Sequence, residues 1–168
     1  MPSTLPDAVL TPLLARLHDS NHAYARVYPG EPIGRQPVHT VYGGAHLFRR
    51  DTARRLGDLA LSSLREYAPD AATFADAIGL KGGGALADAV YRRVLAKLER
   101  EPVEDFRIDF EDGYGVRSDK EEDECAERAA HEVASGMREA SLPPWIGIRI
   151  KNFGEGTAQR GVRTLDIF

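Results

Sequence analysis

FRIDFEDG, residues 106–113, is the stretch that decides the fold. Its first six residues alternate between apolar and charged, and successive side chains of a β-strand point to opposite faces. The alternation therefore predicts a strand over 106–111, with phenylalanine and isoleucine on one face and arginine, aspartate and glutamate on the other. The turn residues Asp112 and Gly113 end it.

Two more strands are predicted, one on each side of this stretch in the sequence. VHTVY, residues 38–42, is β-branched and aromatic and is stopped by Gly43 and Gly44. WIGIRI, residues 145–150, alternates like the central strand, with Arg149 on its polar side. Helical patterns separate the three strands, and this order of elements predicts an α/β domain with a parallel sheet.

Helix boundaries are marked by capping and breaking residues. Asp51 precedes a helical pattern as an N-cap candidate, a short helix is predicted to follow Asp70, and a third helix is predicted to end before Pro102. Between the second and third strands, Ser118 and Glu121 have the spacing of a capping box. The helix predicted behind them has an acidic first turn, which the helix dipole favours.

The sequence divides into an N-terminal helical extension, residues 1–37, and a domain, residues 38–168. The extension contains a helix that is predicted to begin at Thr11 and Pro12. In the domain, the stretch 151–168 is rich in glycine and arginine, and its pattern predicts no further element.

Composition narrows the functional classes. The net charge of −4 and the lack of a long basic block argue against a nucleic-acid partner. No segment has the apolar length of a membrane span, and the first ten residues do not resemble a signal peptide. The single cysteine, Cys125, cannot form an internal disulfide and is expected to be a small buried thiol. These features predict a cytoplasmic protein without a membrane partner.

The charged faces of the second and third strands are the first indication of a functional site. Arg107, Asp109 and Glu111 share one face of the second strand, and Arg149 and Lys151 share one face of the third. Buried charges are costly, and α/β enzymes place their chemistry near the carboxyl ends of strands. A sheet with one solvent-facing side would explain the same alternation, and the pattern by itself leaves both explanations open.

Two motifs resemble the HpcH/HpaI aldolase and citrate lyase β-subunit family. DFEDG, residues 109–113, is similar to the Asp-Leu-Glu-Asp-Ala/Gly segment that ends the family's second strand. IRIKN, residues 148–152, is similar to the Val-Arg-Ile/Val-Asn segment of its third strand, and residues 38–48 stand where the first strand and its loop belong. The resemblance implies the N-terminal portion of a TIM (β/α)8 barrel, with about three parallel strands, intervening helices and an extra N-terminal helix.

The resemblance also implies a chemistry. Members of the family are Mg²⁺-dependent carbon–carbon lyases or aldolases that act on 2-oxo acids or acyl-CoA compounds. Arg149 matches the arginine that binds the substrate carboxylate and stabilises the enolate oxygen. Glu111 and Asp112 match the acids that hold metal-bound waters and orient the site. These three are the expected catalytic residues.

Further expectations concern the substrate pocket and the metal. Gly43, Gly44 and His46, at the active-site end of the first strand, are expected to contact substrate. The family's direct Mg²⁺ ligands come from later strands and are expected beyond Phe168, so this stretch is expected to be inactive alone. Its open sheet edge would favour association, and a homo-oligomer is expected. Lys151 interrupts the family's Arg-Ile-Asn order and indicates a divergent branch, so no particular substrate follows.

Two other functions fit the same residues. The domain could be a non-catalytic binding or assembly subunit on the same fold, because a fold does not fix a function. Asp109, Glu111 and Asp112 could also hold a metal ion directly, as in hydrolases. His18 and His22 stand four residues apart on the N-terminal helix, but without the glutamate of an HExxH motif they are expected to be surface residues.

Overall fold

The computed structural model describes residues 6–30 and 34–168. By its internal contacts the chain forms two compact units, Met1–Gln36 and Pro37–Phe168. The first unit contains one described helix, and the second contains the sheet.

Helix α1 of the first unit spans Asp7–Val27. The predicted start at Thr11 and Pro12 is wrong, because Asp7 supplies an acidic first turn and Pro12 lies inside the helix, where its ring costs one backbone hydrogen bond. In the part of the chain that the structure describes, no helix has both the length and the apolar character needed to cross a membrane.

The second unit is built on three parallel strands. Its elements in chain order are β1 (Thr40–Gly44), α2 (Thr52–Tyr67), α3 (Ala71–Ala77), α4 (Gly84–Arg100), β2 (Asp105–Asp109), α5 (Asp119–Glu139), β3 (Trp145–Arg149) and α6 (Ala158–Ile167). The strands lie side by side in the order β1-β2-β3. The predicted α/β class with a parallel sheet is confirmed, and the predicted strand ranges differ slightly at their ends, where assignments are least fixed.

The strand register aligns the polar residues that end each strand. Gly44 pairs with Asp109, and Asp109 pairs with Arg149. This row, together with the loops that follow the three strands, is called the carboxyl edge below. In α/β proteins ligands bind outside this edge of the sheet.

The hydrophobic core lies on one face of the sheet, between the strands and the helices. Phe106, Ile108 and Phe110 are each at most 3% exposed, and they form one cluster with residues of α5 such as Ala126 and Ala129. The side chains of the other face include Tyr42, which is 54% exposed. The predicted apolar face of the central strand is therefore confirmed, and the helices cover that face.

Side-chain caps fix two of the helix starts. Ser118 and Glu121 form the predicted capping box at the start of α5. The Asp70 carboxylate accepts a hydrogen bond from the Thr73 N–H at 2.8 Å and so caps the short helix predicted to follow it. The expected Asp51 cap is wrong: its side chain makes no cap bond, and it lies 3.7 Å from the Arg54 guanidinium instead.

Helix α6 corrects the prediction that residues 151–168 contain no further element. Arg160 and Arg163 of this helix both pair with Asp119 in the first turn of α5, and the buried residues of the helix are Gly161 and Thr164, so the helix lacks a wide buried apolar stripe. A Cβ on Gly161 would lie 2.6 Å from the Lys151 carbonyl oxygen, which means that α6 passes directly over the chain leaving β3. The polar sequence of this stretch therefore did not predict the helix that packs here.

Lys151 also departs from the prediction that it shares the polar face with Arg149. It is 8% exposed; its Nζ donates to the Phe110 carbonyl oxygen at 2.7 Å and lies 3.1 Å from the Glu122 carboxylate of α5. Strand β3 ends at Arg149, so the alternation rule no longer applies two residues later. Lys151 belongs to the helix layer.

Candidate active site at the carboxyl edge

Arg149 is the centre of the charged group at the carboxyl edge. Its Nε and Nη2 donate to the two oxygens of Asp109 at 2.9 and 2.5 Å. Nη2 also lies 3.2 Å from Asp112, and Nε lies 3.6 Å from Glu111. The structure therefore brings together the three residues that the sequence predicts as catalytic, around an aspartate that the prediction did not include among them.

The Asp109 carboxylate is fully occupied by hydrogen bonds. Each oxygen accepts one bond from Arg149, and the backbone N–H groups of Glu111 and Gly113 donate the other two, both at 2.8 Å. A carboxylate has about four acceptor positions, and all are used. Its role is to hold the turn after β2 and to fix the plane of the Arg149 guanidinium.

The charges of this pair reinforce each other. Burial of the carboxyl group acts to raise the pKa of Asp109, but Arg149 and the backbone N–H groups of Glu111 and Gly113 outweigh it, so the pKa lies below its ordinary value. The hydrogen bond to Asp109 raises the pKa of Arg149 in turn. Both groups are therefore charged at neutral pH.

Asp109→Asn should destabilise the domain by about 2–3 kcal/mol at neutral pH, because an amide cannot accept from both Arg149 nitrogens. A lowered carboxyl pKa in the folded state stabilises the fold above the unfolded-state pKa, and that stability disappears as pH falls through the folded-state value. The stability difference between wild type and variant, measured by urea unfolding, should therefore shrink as the pH is lowered from neutral towards pH 3.

Asp58→Asn, which alters an exposed carboxylate on α2, is the matched control and should change stability little at either pH. A difference between wild type and Asp109→Asn that stays constant over this pH range would contradict the charged pair.

Two further side chains complete the surroundings of Arg149. The guanidinium lies over the ring of Tyr42, 4.7 Å from its centroid, an arrangement that favours a cation. The Asn152 side-chain amide donates to Glu111 at 3.4 Å. The sequence analysis gave neither residue a role in the site. Tyr42 and Gly44 share one face of β1 by alternation, so the register of β1 against β2 is the information that would have found Tyr42.

The residues predicted to contact substrate from β1 have packing roles in the structure. A Cβ on Gly43 would lie 2.6 Å from the Phe106 ring, on the core side of the sheet. A Cβ on Gly44 would lie 2.3 Å from the Gly113 carbonyl oxygen and 2.7 Å from the His46 ring. The close approach of β1 to the turn after β2 therefore requires glycine at position 44, and His46 packs over it.

The hypothesis of a metal ion bound directly by Asp109, Glu111 and Asp112 does not fit this geometry, because a metal could reach Asp109 only by displacing Arg149. Among residues 6–30 and 34–168, no group of three or more His, Cys, Asp or Glu side chains is arranged to hold a metal ion. Glu111 and Asp112 are different: their carboxylates are 27% and 82% exposed and remain open to a water or a cation.

The environment of the Cys125 thiol is not purely apolar, because a guanidinium group contacts it. It is 2% exposed, which confirms the expected buried thiol, but the Nη2 of Arg128 donates to its Sγ at 3.1 Å. Arg128 follows Cys125 by three residues on the same helix, a spacing that brings the two side chains to one face. Burial and the neighbouring thiol raise the pKa of Tyr114.

Comparison with known proteins places the chain in a family without an assigned activity. The family model described as Domain of unknown function (DUF6986) matches residues 17–168. No curated protein matches the chain. No solved structure matches it either. Because the family match covers all of the sheet-containing unit and most of the chain, the chain belongs to the DUF6986 family.

Proposed function

We propose that this chain forms the N-terminal part of a TIM-barrel enzyme that acts on a 2-oxo acid or an acyl-CoA compound as a Mg²⁺-dependent carbon–carbon lyase or aldolase. The observation that carries the proposal is the fixed guanidinium of Arg149 at the carboxyl edge, with Glu111 and Asp112 beside it. The matching family has no assigned activity, so the proposal rests on the geometry of the sheet and of this edge.

The strand order supports a barrel rather than a doubly wound sheet. The three strands follow one another in chain order, and the apolar cluster with α5 lies on one face only. A doubly wound sheet reverses its strand order and is covered on both faces, whereas a barrel keeps consecutive order and has its helices outside. The polar face with Tyr42, Asp109 and Arg149 would then line the interior of the barrel.

Arg149 has the chemistry that recognition of a carboxylate requires. Its guanidinium is planar and permanently charged, and it suits the two oxygens of a carboxylate. The bonds to Asp109 use Nε and Nη2, and Nη1 takes part in neither. A substrate carboxylate or a developing negative charge on the 2-oxo oxygen would therefore meet Nη1 of a side chain that is already fixed in place.

The carboxylates around Arg149 fit a divalent cation. One guanidinium faces Asp109, Glu111 and Asp112, so the group has a net charge of about −2. An anionic substrate alone would be repelled, whereas oxygen donors of this kind suit Mg²⁺. When bound, Mg²⁺ would supply Lewis-acid polarisation of the 2-oxo group. Glu111 and Asp112 would hold its waters, and the direct ligands would come from other residues.

The proposal also includes a cytoplasmic location and assembly as a homo-oligomer. The one cysteine is a free, buried thiol, as is usual in the reducing cytoplasm, and an open sheet edge favours a homo-oligomer. A non-catalytic binding subunit on the same fold is the second candidate. The Arg149–Asp109 ion pair, in which every acceptor position of the carboxylate is used, favours this second candidate. Such a pair can also be purely structural.

Binding of oxalate, a stable mimic of the enolate of a 2-oxo acid, tests the proposal. In calorimetric titrations of the full-length protein, oxalate should bind only when Mg²⁺ is present. Arg149→Lys should weaken binding by at least about tenfold, which is about 1.4 kcal/mol. The matched control is Arg107→Lys, on the same face of the neighbouring strand, because Arg107 is bonded to Asp105. Absence of oxalate binding, or binding unchanged in Arg149→Lys, would contradict the proposal.

A further inference from the structure

Helix α1 carries an apolar seam that runs from Leu10 to Val27. The seam consists of Leu10, Leu13, Leu17, Ser20, Tyr24 and Val27. Leu13, Leu17 and Tyr24 are 53%, 54% and 64% exposed, and no residue of the helix is buried. Five of the six seam residues are apolar or aromatic, so the seam is a surface that water solvates poorly.

The spacing of the seam is that of two helices packed along each other. Its positions alternate between steps of three and four residues, the repeat of a coiled coil. Most of the stability of a protein helix comes from the packing of its apolar face, and no residue of this helix of 21 residues is buried. The ionisable residues lie off the seam: they are Asp7, Arg16, His18, Asp19, His22 and Arg26.

We propose that α1 is a dimerisation element, and that it pairs antiparallel with α1 of a second copy of this chain about a two-fold axis near Leu17. Such a contact is isologous, with the same surface used by both copies. The dimer would form independently of the reaction that takes place at the carboxyl edge.

Charge selects a second copy in the antiparallel direction. The first turn of α1 carries Asp7 and its last turn carries Arg26. An antiparallel pair places Asp7 of each helix beside the end that carries Arg26 of the other, and it also aligns the two helix dipoles favourably. A parallel pair would place like charges together at both ends.

The position of the axis sets which residues face each other. With the axis near Leu17, Leu10 of one helix lies opposite Tyr24 of the other, and Leu17 lies opposite Leu17. Leu14, which lies beside the seam, is opposite the small Ser20, so one contact on each side of the axis pairs a large side chain with a small one.

The oligomeric state of the full chain tests the dimer. Light scattering after size-exclusion chromatography should give a dimer for the wild type. Leu17→Lys should raise the dissociation constant by at least about 100-fold, since both copies then bury a charge at the axis. His22→Lys, off the seam, is the matched control and should remain dimeric. Circular dichroism should show that the sheet-containing unit remains folded in both variants. A monomeric wild type, or a Leu17→Lys variant as dimeric as His22→Lys, would overturn the proposal.

Disulfide trapping tests the direction. In a Cys125→Ala background, Leu10→Cys and Tyr24→Cys chains should cross-link to each other when mixed and oxidised, and neither should cross-link efficiently to itself. Efficient Leu10→Cys homodimers without the mixed product would overturn the antiparallel arrangement.

Discussion

Glu122→Ala should lower the free energy of unfolding by about 3–5 kcal/mol, the cost of leaving a buried charge without its partner. Glu122 is 3% exposed. Its carboxylate accepts from Thr164 at 3.0 Å, lies 3.1 Å from Lys151 and also accepts from Arg160. Without it, the Lys151 ammonium would remain buried with the Phe110 carbonyl oxygen as its hydrogen-bond acceptor. Urea unfolding at neutral pH measures the loss.

Two variants make this prediction specific. Glu124→Ala removes an exposed carboxylate of the same helix, 3.7 Å from Lys120, and should cost at most about 0.5 kcal/mol. Glu122→Leu combined with Lys151→Met removes both charges and should be clearly more stable than Glu122→Leu alone. A loss below about 1 kcal/mol for Glu122→Ala would show that the buried network does not hold α5, α6 and the end of β3 together.

Arg149→Lys should lower kcat/KM of the full-length enzyme by about 10²–10³, the usual effect of losing one donor to a developing oxyanion. A lysine ammonium is a single point charge, so it cannot bind both oxygens of Asp109 and still offer a fixed donor to a substrate. A suitable readout is the exchange of the methyl protons of pyruvate with D2O, followed by NMR. It reports formation of the enolate without a second substrate.

The fold of this variant is checked separately. Arg107→Lys, on the same face but bonded to Asp105, should keep the exchange rate within about threefold of the wild type if it remains folded. Near-normal exchange in Arg149→Lys would show that Arg149 takes no part in the formation of the enolate.

The sheet could be predicted from the sequence because its signal is local. The alternation over 106–111 and 145–150 specifies strands directly, and the capping box of Ser118 and Glu121 specifies the start of α5. Helix α6 could not be found in this way, since its contacts include packing of Ile167 and Phe168 against the core and ion pairs with α5 residues about forty positions earlier, such as Arg163 with Asp123. A pattern search within one segment does not register such pairs.

The grouping of the three expected catalytic residues could be predicted from the sequence, but the geometry of the site could not. Residues at the ends of neighbouring parallel strands must meet, so Arg149 near Glu111 follows from strand order alone. That Asp109 takes both Nε and Nη2 of Arg149, and is thereby closed to a metal ion, depends on side-chain geometry. The burial of Lys151 likewise depends on where β3 ends. The alternating pattern predicts a strand that is one residue longer than the observed one.

The central claim, a Mg²⁺-dependent enolising site at the carboxyl edge, is tested most directly by the exchange of pyruvate protons in the wild-type full-length protein. The account predicts exchange well above the rate in buffer when Mg²⁺ is present, and its loss when the metal is removed with a chelator. Exchange at the buffer rate with pyruvate and with other 2-oxo acids, in the presence of Mg²⁺, would contradict it.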